Sequence, residues 1–580
     1  MSVIQKINYL LNRKQKTQLL ILSFLLLLGT ILEMVSLSVL VPTLEIMSKT
    51  NIDEKYPFLK PLLNKLDNPS QSRLILIVMI FIVILFIFKG LFLVFLNWKQ
   101  SDFSAKLSSE LSIKLYTGYL KQPYHFHLQK NSSILNFNIS EAASLSGFSN
   151  TIMIGLLETT VILGIISMLF LVEPIGALSV SLFLLLSGLA FHRFTKNKIM
   201  SWSKNRQFHV GQGNKQLMQG FGGVKDIKLM GNEVFFINSY SKHIIENATI
   251  STKATTLNLV PRLYLEVLAV FAMAGLVVSM IIQGKSVDLI VPVLGIFLVA
   301  AFRMIPSANR IMTSVQTLKS AYPTIDLVYN EFKLINNSSS DKRTGIYVNF
   351  NDQIEMNNIS FSYTNSKKVL SDINIKISKG KSIGIIGPSG SGKSTLVDLI
   401  LGLLSPTSGS IKIDGLDINN VMTSWQNKIG YVPQSIYLTD DTIKNNIAFG
   451  LPENQINNES ISRVIKIAQL GEFIDSLPEG LDTKVGERGV RLSGGQRQRI
   501  GIARALYHEP SILVLDEATS ALDTNTEIEV MKAVNSLHGK KTLIIIAHRL
   551  STVNNCDLIY KISSGKIIEV GNPKIILTSS

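Results

Sequence analysis

"IGIIGPSGSGKST", residues 383–395, decides how the C-terminal part of the chain must fold. The run Ser382–Ile386 reads as a buried strand, and "TLVDLILGL" (395–403) has the apolar spacing of a helix. Between them Gly387, Gly390 and Gly392 let the backbone turn tightly. A strand, a glycine loop and a helix in that order form a phosphate cradle, because backbone N–H groups and a helix N-terminus converge on one anion. Lys393 supplies a point charge for the β- and γ-phosphates, and the Ser394 hydroxyl suits Mg²⁺. Ser389, Ser391 and Thr395 complete the candidate nucleotide contacts of this loop.

Downstream, "SILVLDEATSALD" (511–523) places an apolar strand before Asp516 and Glu517. Asp516 is positioned to hold Mg²⁺, and Glu517 to polarise an attacking water. "LSGGQRQR" (492–499) lies between these motifs and puts Ser493, Gly494, Gly495 and Gln496 at a helix start, again suited to an anion. P-loop proteins in general lack that third motif, and with it the chain resembles the ATP-binding cassette family. The resemblance implies ATP and Mg²⁺ as cofactors and assigns further roles. Tyr363 in "ISFSY" matches the aromatic that stacks on adenine, and Gln434 in "IGYVPQ" the residue that contacts Mg²⁺ and senses the transport domain. "VGERG" (485–489) looks like the exporter-specific loop, "SALD" (520–523) like the D-loop, and His548 like the switch histidine. The resemblance also implies that each signature covers ATP held by a partner, so one P-loop and one signature per chain point to a homodimer.

Working towards the N-terminus, composition changes. The whole chain of 580 residues is 46% hydrophobic and 17% charged, with a mean hydropathy of +0.29; globular domains carry about 25% charged residues. Six long apolar segments, at 18–42, 73–97, 148–172, 175–194, 257–283 and 287–309, each approach the ~20 residues that span hydrocarbon. The expected fold is an α-helical six-span transmembrane domain (1–320), a linker (321–345), and an α/β P-loop nucleotide-binding domain (346–580). Only Glu173 and Pro174 separate the third and fourth segments, which implies a helical hairpin. Lys6, Arg13, Lys14 and Lys16 in an acid-free leader place both termini in the cytoplasm. The first apolar stretch lacks a small-residue cleavage site, so no signal peptide is expected. The formal charge of +16 is accounted for by basic cytoplasmic flanks rather than by nucleic acid. A single cysteine, Cys556, excludes an intrachain disulfide.

The long inner connections, 98–147 and 195–256, read as helices running about 30 Å into the cytoplasm. "YHFHLQKNSSILNF" (124–137) and "FGGVKDIKLMGNEVFF" (221–236) are candidates for the elements that dock on the cassette. Cargo is read from charges inside the spans, which are costly and face a cavity or a partner. Lys89, Arg262, Arg303 and Arg310 are the candidates, with Ser307 on the face shared by Arg303 and Arg310 and with Pro306 between them. Glu33 and Glu158 are available to pair with these cations, and Glu266 to neutralise Arg262 four residues away. Arginine suits phosphate because its planar fork bonds two oxygens at once. "YPFLKPLLNKL" (56–66) is expected to form a short amphipathic helix at the outer surface.

The runs "VPRLYLE" (260–266), "FRMIPSANRI" (302–311) and "KSTLVDLILGLL" (393–404) resemble a narrower group, PglK-type bacterial flippases of lipid-linked oligosaccharides. That resemblance implies a half-transporter in the bacterial inner membrane, moving polyprenyl-pyrophosphate-linked oligosaccharide to the outer leaflet. It assigns Arg262, Arg303 and Arg310 to the pyrophosphate and the 56–66 segment to the polyprenyl tail. Lys89 stands where the group has arginine. The alternatives are an exporter of another amphiphile (a lipid A precursor, a drug or a peptide) and a cassette protein that gates a channel. The absence of a peptidase-like N-terminal extension disfavours peptides.

Overall fold

A computed structural model describes residues 2–39, 71–285, 287–338, 347–363, 368–519, 522, 524–547 and 549–576. The outer-surface segment 56–66 and most of "SALD" lie outside the described residues, as does His548. The chain divides into two compact units: Met1–Gln122 with His127–Ser340, and Pro123–Phe126 with Asp341–Ser580.

The first unit is helical. A short helix, α1 (Val3–Leu10), is capped by Ser2 and Gln5 and precedes α2 (Arg13–Ser38). Then follow α3 (Gln71–Leu120), α4 (Tyr124–Gln129, whose first three residues belong to the second unit), α5 (Ser132–Val172), α6 (Pro174–Gly222), α7 (Val224–Met230), α8 (Glu233–Ile282), α9 (Val287–Ser320) and α10 (Tyr322–Ser338). Six of these, α2, α3, α5, α6, α8 and α9, are long and apolar enough to cross a membrane. The long connections at 98–147 and 195–256 are mostly continuations of those helices. A 50-residue helix such as α3 or α8 measures about 75 Å, far beyond the ~30 Å of hydrocarbon. The hairpin at Glu173 is tight: its N–H closes α5 on Leu169 O at 2.9 Å, and Pro174 starts α6, where a missing N–H costs nothing. α9 runs through Pro306 without interruption, as α8 does through Pro261.

α3 exposes Leu76, Phe81, Ile84, Leu91 and Val94, an apolar face suited to lipid. Its opposite side packs with α2 and α5, while Val161, Leu276, Met280 and Phe297 meet in a second cluster. Gly176 permits this approach, since a Cβ there would lie 2.5 Å from Leu276 Cδ1. The stretch expected as linker holds a helix to Ser338. Ile325, Val328, Phe332 and Ile335 recur on one buried face of α10, and amphipathic spacing fixes it against α3 and α5. Lys6 on α1 is ion-paired with Asp326 of α10, and the rings of Tyr9 and Tyr329 meet edge-on at 5.2 Å.

The second unit contains two sheets. An antiparallel sheet has the order β2-β1-β4-β5, with β1 Gln353–Phe361, β2 Leu370–Ser378, β4 Ser408–Ile413 and β5 Leu416–Asp417. The other has the order β10-β9-β3-β8-β7-β6. Its members are β3 Ser382–Ile386, β6 Ile429–Val432, β7 Ile512–Asp516, β8 Thr542–Ile546, β9 Leu558–Ser563 and β10 Lys566–Gly571. β3, β7 and β8 are buried at every residue, as strands covered on both faces must be. They run parallel, with Ile385 opposite Ile546 and Asp516 opposite the same residue. Parallel register therefore delivers the ends of β3 and β7, more than a hundred residues apart in the chain, to one edge. Cys556 is buried, and burial pushes its thiol up to about 12, so it is inert.

Candidate functional site

At the edge where β3 ends, Gly387 adopts φ +156°, and a Cβ there would lie 2.0 Å from Ile562 O. Gly390 and Gly392 take φ +76° and +100°, conformations that L side chains resist. The loop then enters α11 (Lys393–Ile400). Lys393 is nearly buried and donates to the carbonyls of Gly387 (2.9 Å) and Pro388 (3.0 Å), which hold the ammonium over the loop. Burial lowers its pKa, opposed by the nearby carboxylates of Glu517 and Asp516. Ser391 Oγ is buried and has no hydrogen-bond partner, whereas Ser394 stands exposed at the mouth. Tyr363 lies beside the loop: its hydroxyl is 3.0 Å from Thr395 Oγ1, and its ring meets Phe361 edge-on at 4.9 Å.

The carboxylates reach the same edge from β7. Asp516 is buried. Glu517 follows in the left-handed region at φ +50°, fixed by its N–H on Ile546 O at 3.0 Å. Strain of this kind in a non-glycine residue collects where a side chain must be aimed. Gln434 Nε2 donates to Glu517 Oε2 at 2.7 Å, so the two residues form one polar unit. The sequence placed each separately and gave no sign that they touch. Asp398 on α11 is raised to about 6, first by burial and then by Asp516.

The signature segment builds a third element. Ser493 caps α12 (Gly494–Leu506) with a complete capping box: Ser493 Oγ accepts from Gln496 N at 3.2 Å, and Gln496 Oε1 accepts from Ser493 N at 2.8 Å. Gly494 and Gly495 form its first turn, where backbone N–H groups lack intrahelical acceptors. Arg497 fastens the preceding turn through the carbonyls of Gly489 (3.1 Å) and Leu492 (2.9 Å). Arg504 holds the far end of α12 on Asn446 O (2.8 Å) and Tyr437 O (2.8 Å); burial lowers its pKa to about 10. These donors and carboxylates fit a magnesium–polyphosphate. The loop offers Lys393, the unsatisfied Ser391 hydroxyl and the accessible Ser394, with Asp516, Glu517 and Gln434 facing it from the neighbouring strands.

In the first unit the cargo candidates separate into two groups. Arg303 donates from Nε to Glu33 Oε1 at 2.8 Å and also through Nη2, while Nη1 bonds Ser307 Oγ at 3.1 Å. Glu158 is completely buried and accepts from Ser307 Oγ (2.6 Å) and Arg310 Nη1 (2.5 Å), with Arg303 Nη1 at 3.8 Å. Lys89 joins more loosely: its Nζ lies 3.9 Å from Glu33 and 4.9 Å from the centroid of Phe86. Arg303 and Arg310 therefore do share a face of α9, and both contribute to a cavity of about 390 Å³ with Glu33, Glu158, Asn97 and Gln100. Asn97 and Gln100, in the long helix α3, carried no charge to reveal them in the sequence. Arg262 stands apart. It pairs with Glu266 of its own helix at 3.1 Å, both side chains are exposed, and neither lines this cavity.

Of the two docking candidates, Pro123–Phe126 groups with the second unit. The other contains α7, where Ile227 is buried and Leu229 and Met230 are exposed, and the end of α6, where Phe221 is exposed.

Comparison with known proteins places two family models on the chain, "ABC transporter transmembrane region" over residues 19–302 and "ABC transporter" over 370–520. An ATP-dependent lipid A-core flippase of Desulfotalea psychrophila is 31% identical over 535 residues, covering 89% of this chain and 90% of the relative. A putative multidrug export ATP-binding/permease protein, YgaD of Bacillus subtilis, is 32% identical over 82% of each chain. Among solved structures, a bacterial Atm1-family ABC exporter with ATP bound superposes with a TM-score of 0.77, at 24% identity, covering 97% of this chain and 96% of that one.

Proposed function

The chain belongs to the ABC transporter family, with a transmembrane domain followed by an ATPase domain that couples hydrolysis to transport, and on that premise we propose that it is a flippase for polyprenyl-pyrophosphate-linked oligosaccharide. It carries this lipid from the cytoplasmic to the outer leaflet of a bacterial inner membrane, as a homodimer with both termini cytoplasmic. The observation that carries the reading is the polar cluster at α9. Lys89, Arg303 and Arg310 stand against two carboxylates, Glu33 and Glu158, leaving an excess of one positive charge in each protomer.

Glu33 and Glu158 are the buried members of the cluster, and the partly buried Arg303 and Lys89 and the exposed Arg310 balance them. A diphosphate offers several acceptor oxygens and a greater charge than either carboxylate. It competes for the guanidinium forks of Arg303 and Arg310, and two protomers double the excess charge around it. Arg262 is free to contribute only where its helix meets a partner or lipid, since its own pair is exposed. A second reading, a lipid A-type phosphorylated amphiphile, is favoured by the lipid A-core flippase relatives and uses the same cluster.

In the motor, ATP supplies the phosphoanhydride bond and Mg²⁺ neutralises its charge. Lys393 and the loop N–H groups would hold the phosphates, Ser394, Asp516 and Gln434 would hold the ion, and Tyr363 would pack on the base. Glu517 orients the attacking water, with Gln434 holding its carboxylate in place. His548 is assigned beside the γ-phosphate by its place in the motif alone. One P-loop and one signature per chain make each site depend on Ser493–Gln496 of a second copy.

Reconstitution into liposomes with fluorescent lipid-linked oligosaccharide tests the cargo. ATP-dependent loss of the label from its original leaflet is expected. Its absence, with ATPase activity intact, overturns the oligosaccharide reading, and movement of a lipid A precursor in the same assay establishes the second. Arg303→Ala is expected to impair flipping more than basal ATPase activity.

A further inference from the structure

A larger cavity, of about 510 Å³, lies on the other side of α9 from the charged cluster, between α5, α6, α8 and α9. The two cavities share no lining residue. Its volume falls in the range of built ligand pockets. Leu184, Leu185, Met304 and Met312 belong to a lining that is apolar along most of its length. One end differs. There Lys319 of α9 donates to His192 Nε2 of α6 at 2.7 Å, so the imidazole accepts and brings no negative charge to the ammonium. Among the described residues no carboxylate pairs with Lys319.

Beside them stands Gln316. It is 5% exposed, it lines this cavity and an adjoining one, and neither its amide oxygen nor its amide nitrogen has a hydrogen-bond partner. A buried amide left unsatisfied is costly, so such a side chain points to something that answers it. The polar end also has a definite depth. His192 opens the run "HRFTKNK" (192–198), where the apolar segment of α6 gives way to basic residues, the mark of the cytoplasmic interface.

We propose that this cavity is a binding site for an anionic membrane lipid of the cytoplasmic leaflet. The acyl chain occupies the apolar length, and the phosphate head group lies at Lys319, with the Gln316 amide donating to it. The site is separate from the arginine cluster assigned to cargo, and it is filled without nucleotide. A zwitterionic lipid fits it less well, because its choline would meet Lys319 and the basic run of α6.

Gly188 makes the site testable. It lines the cavity, and a Cβ built there meets nothing within 4 Å, so a large side chain enters the open space rather than the helix packing. The experiment uses the full-length protein in phosphatidylcholine vesicles carrying a trace of photoreactive phosphatidic acid or photoreactive phosphatidylcholine. No ATP or oligosaccharide lipid is added, and cross-linked peptides are mapped by mass spectrometry. Phosphatidic acid is expected to label peptides of α6 and α9 about tenfold more than phosphatidylcholine, the value of one charge-assisted contact. Lys319→Ala with Gln316→Leu should remove that preference, and Gly188→Phe should remove labelling of both kinds while ATPase activity persists. Equal labelling by the two lipids overturns the proposal, as does unchanged labelling in either variant. Competition by glycerol phosphate, which has the head group without the chain, would show an anion site instead of a lipid site and overturns it equally. Because no transport is measured, none of these results depends on which cargo is moved.

Discussion

Lys393 in the P-loop and Arg303 in the membrane unit are both cations largely withdrawn from water, yet the fold answers them in different ways. Lys393 rests on two neutral carbonyls, so its charge stays available, and the loop that holds it is shaped by glycine conformations. Arg303 rests on Glu33 and is approached by Glu158, so its charge is already balanced. The first is an anion site built by the backbone. The second is a neutralised network that a stronger anion must open. Specific recognition of one phosphate chemistry suits the first, and selective entry of a large amphiphile suits the second.

Four measurements break or sharpen that contrast. The largest effect is expected for Glu517→Gln, which should lower ATP hydrolysis by about 100- to 10,000-fold. Nucleotide binding should survive it, because the cradle is backbone and Lys393. Loss of binding in an equilibrium titration would mean the carboxylate helps hold the phosphates. Next is Glu158→Ala, which strips a fully buried acid from Arg310 and Arg303. Arg303 keeps Glu33 and Arg310 is more than half exposed, so the loss should be about 1–3 kcal/mol, read as a lower midpoint of thermal unfolding; an unchanged midpoint would show that this buried acid adds nothing to the stability of the network.

A smaller effect belongs to Asp557, an ion-paired carboxylate of the cassette. Burial alone would raise its pKa, but hydrogen bonds from the Ser382 backbone, His538 and Lys381 override this and hold it at about 2. Its folded pKa lies below the unfolded value, so the stabilisation is present above about pH 4 and is lost as pH falls towards 2. With the side chain 27% exposed, solvent screening leaves on the order of 1–2 kcal/mol. Asp557→Asn should lose that at neutral pH, and in acid denaturation the two proteins should converge only as pH approaches about 2. Smallest is Ser493→Ala, which removes one cap from α12 at about 1 kcal/mol. A larger loss of ATPase than of stability there would support a signature that also acts on nucleotide.

Much of the motor was legible because its geometry is local. Gly387, Gly390, Gly392 and Lys393 sit within seven residues, and the strand and helix around them follow from periodicity. The contact between Gln434 and Glu517 was not legible, since it depends on β6 and β7 lying side by side. In the membrane unit the six spans followed from length and hydropathy. The long connecting helices are continuous with them because α3 contains no proline and α8 accommodates Pro261. The stretch 321–345 read as linker from its polar second half, whereas the buried face of α10 falls in its first half.

Whatever fits in one short window could be read from residue order: a phosphate loop, a strand ending in two acids, a signature segment at a helix start and six apolar spans. Each rests on neighbours along the chain, so spacing is enough. Tertiary structure alone decided which charges meet. It joined Glu33 from α2 and Glu158 from α5 to the arginines of α9, left Arg262 exposed with Glu266, and opened the cavity that surrounds Gln316. The physical reason is that pairing in a helical membrane unit depends on how helices rotate against one another, and that rotation is set by packing across the whole bundle.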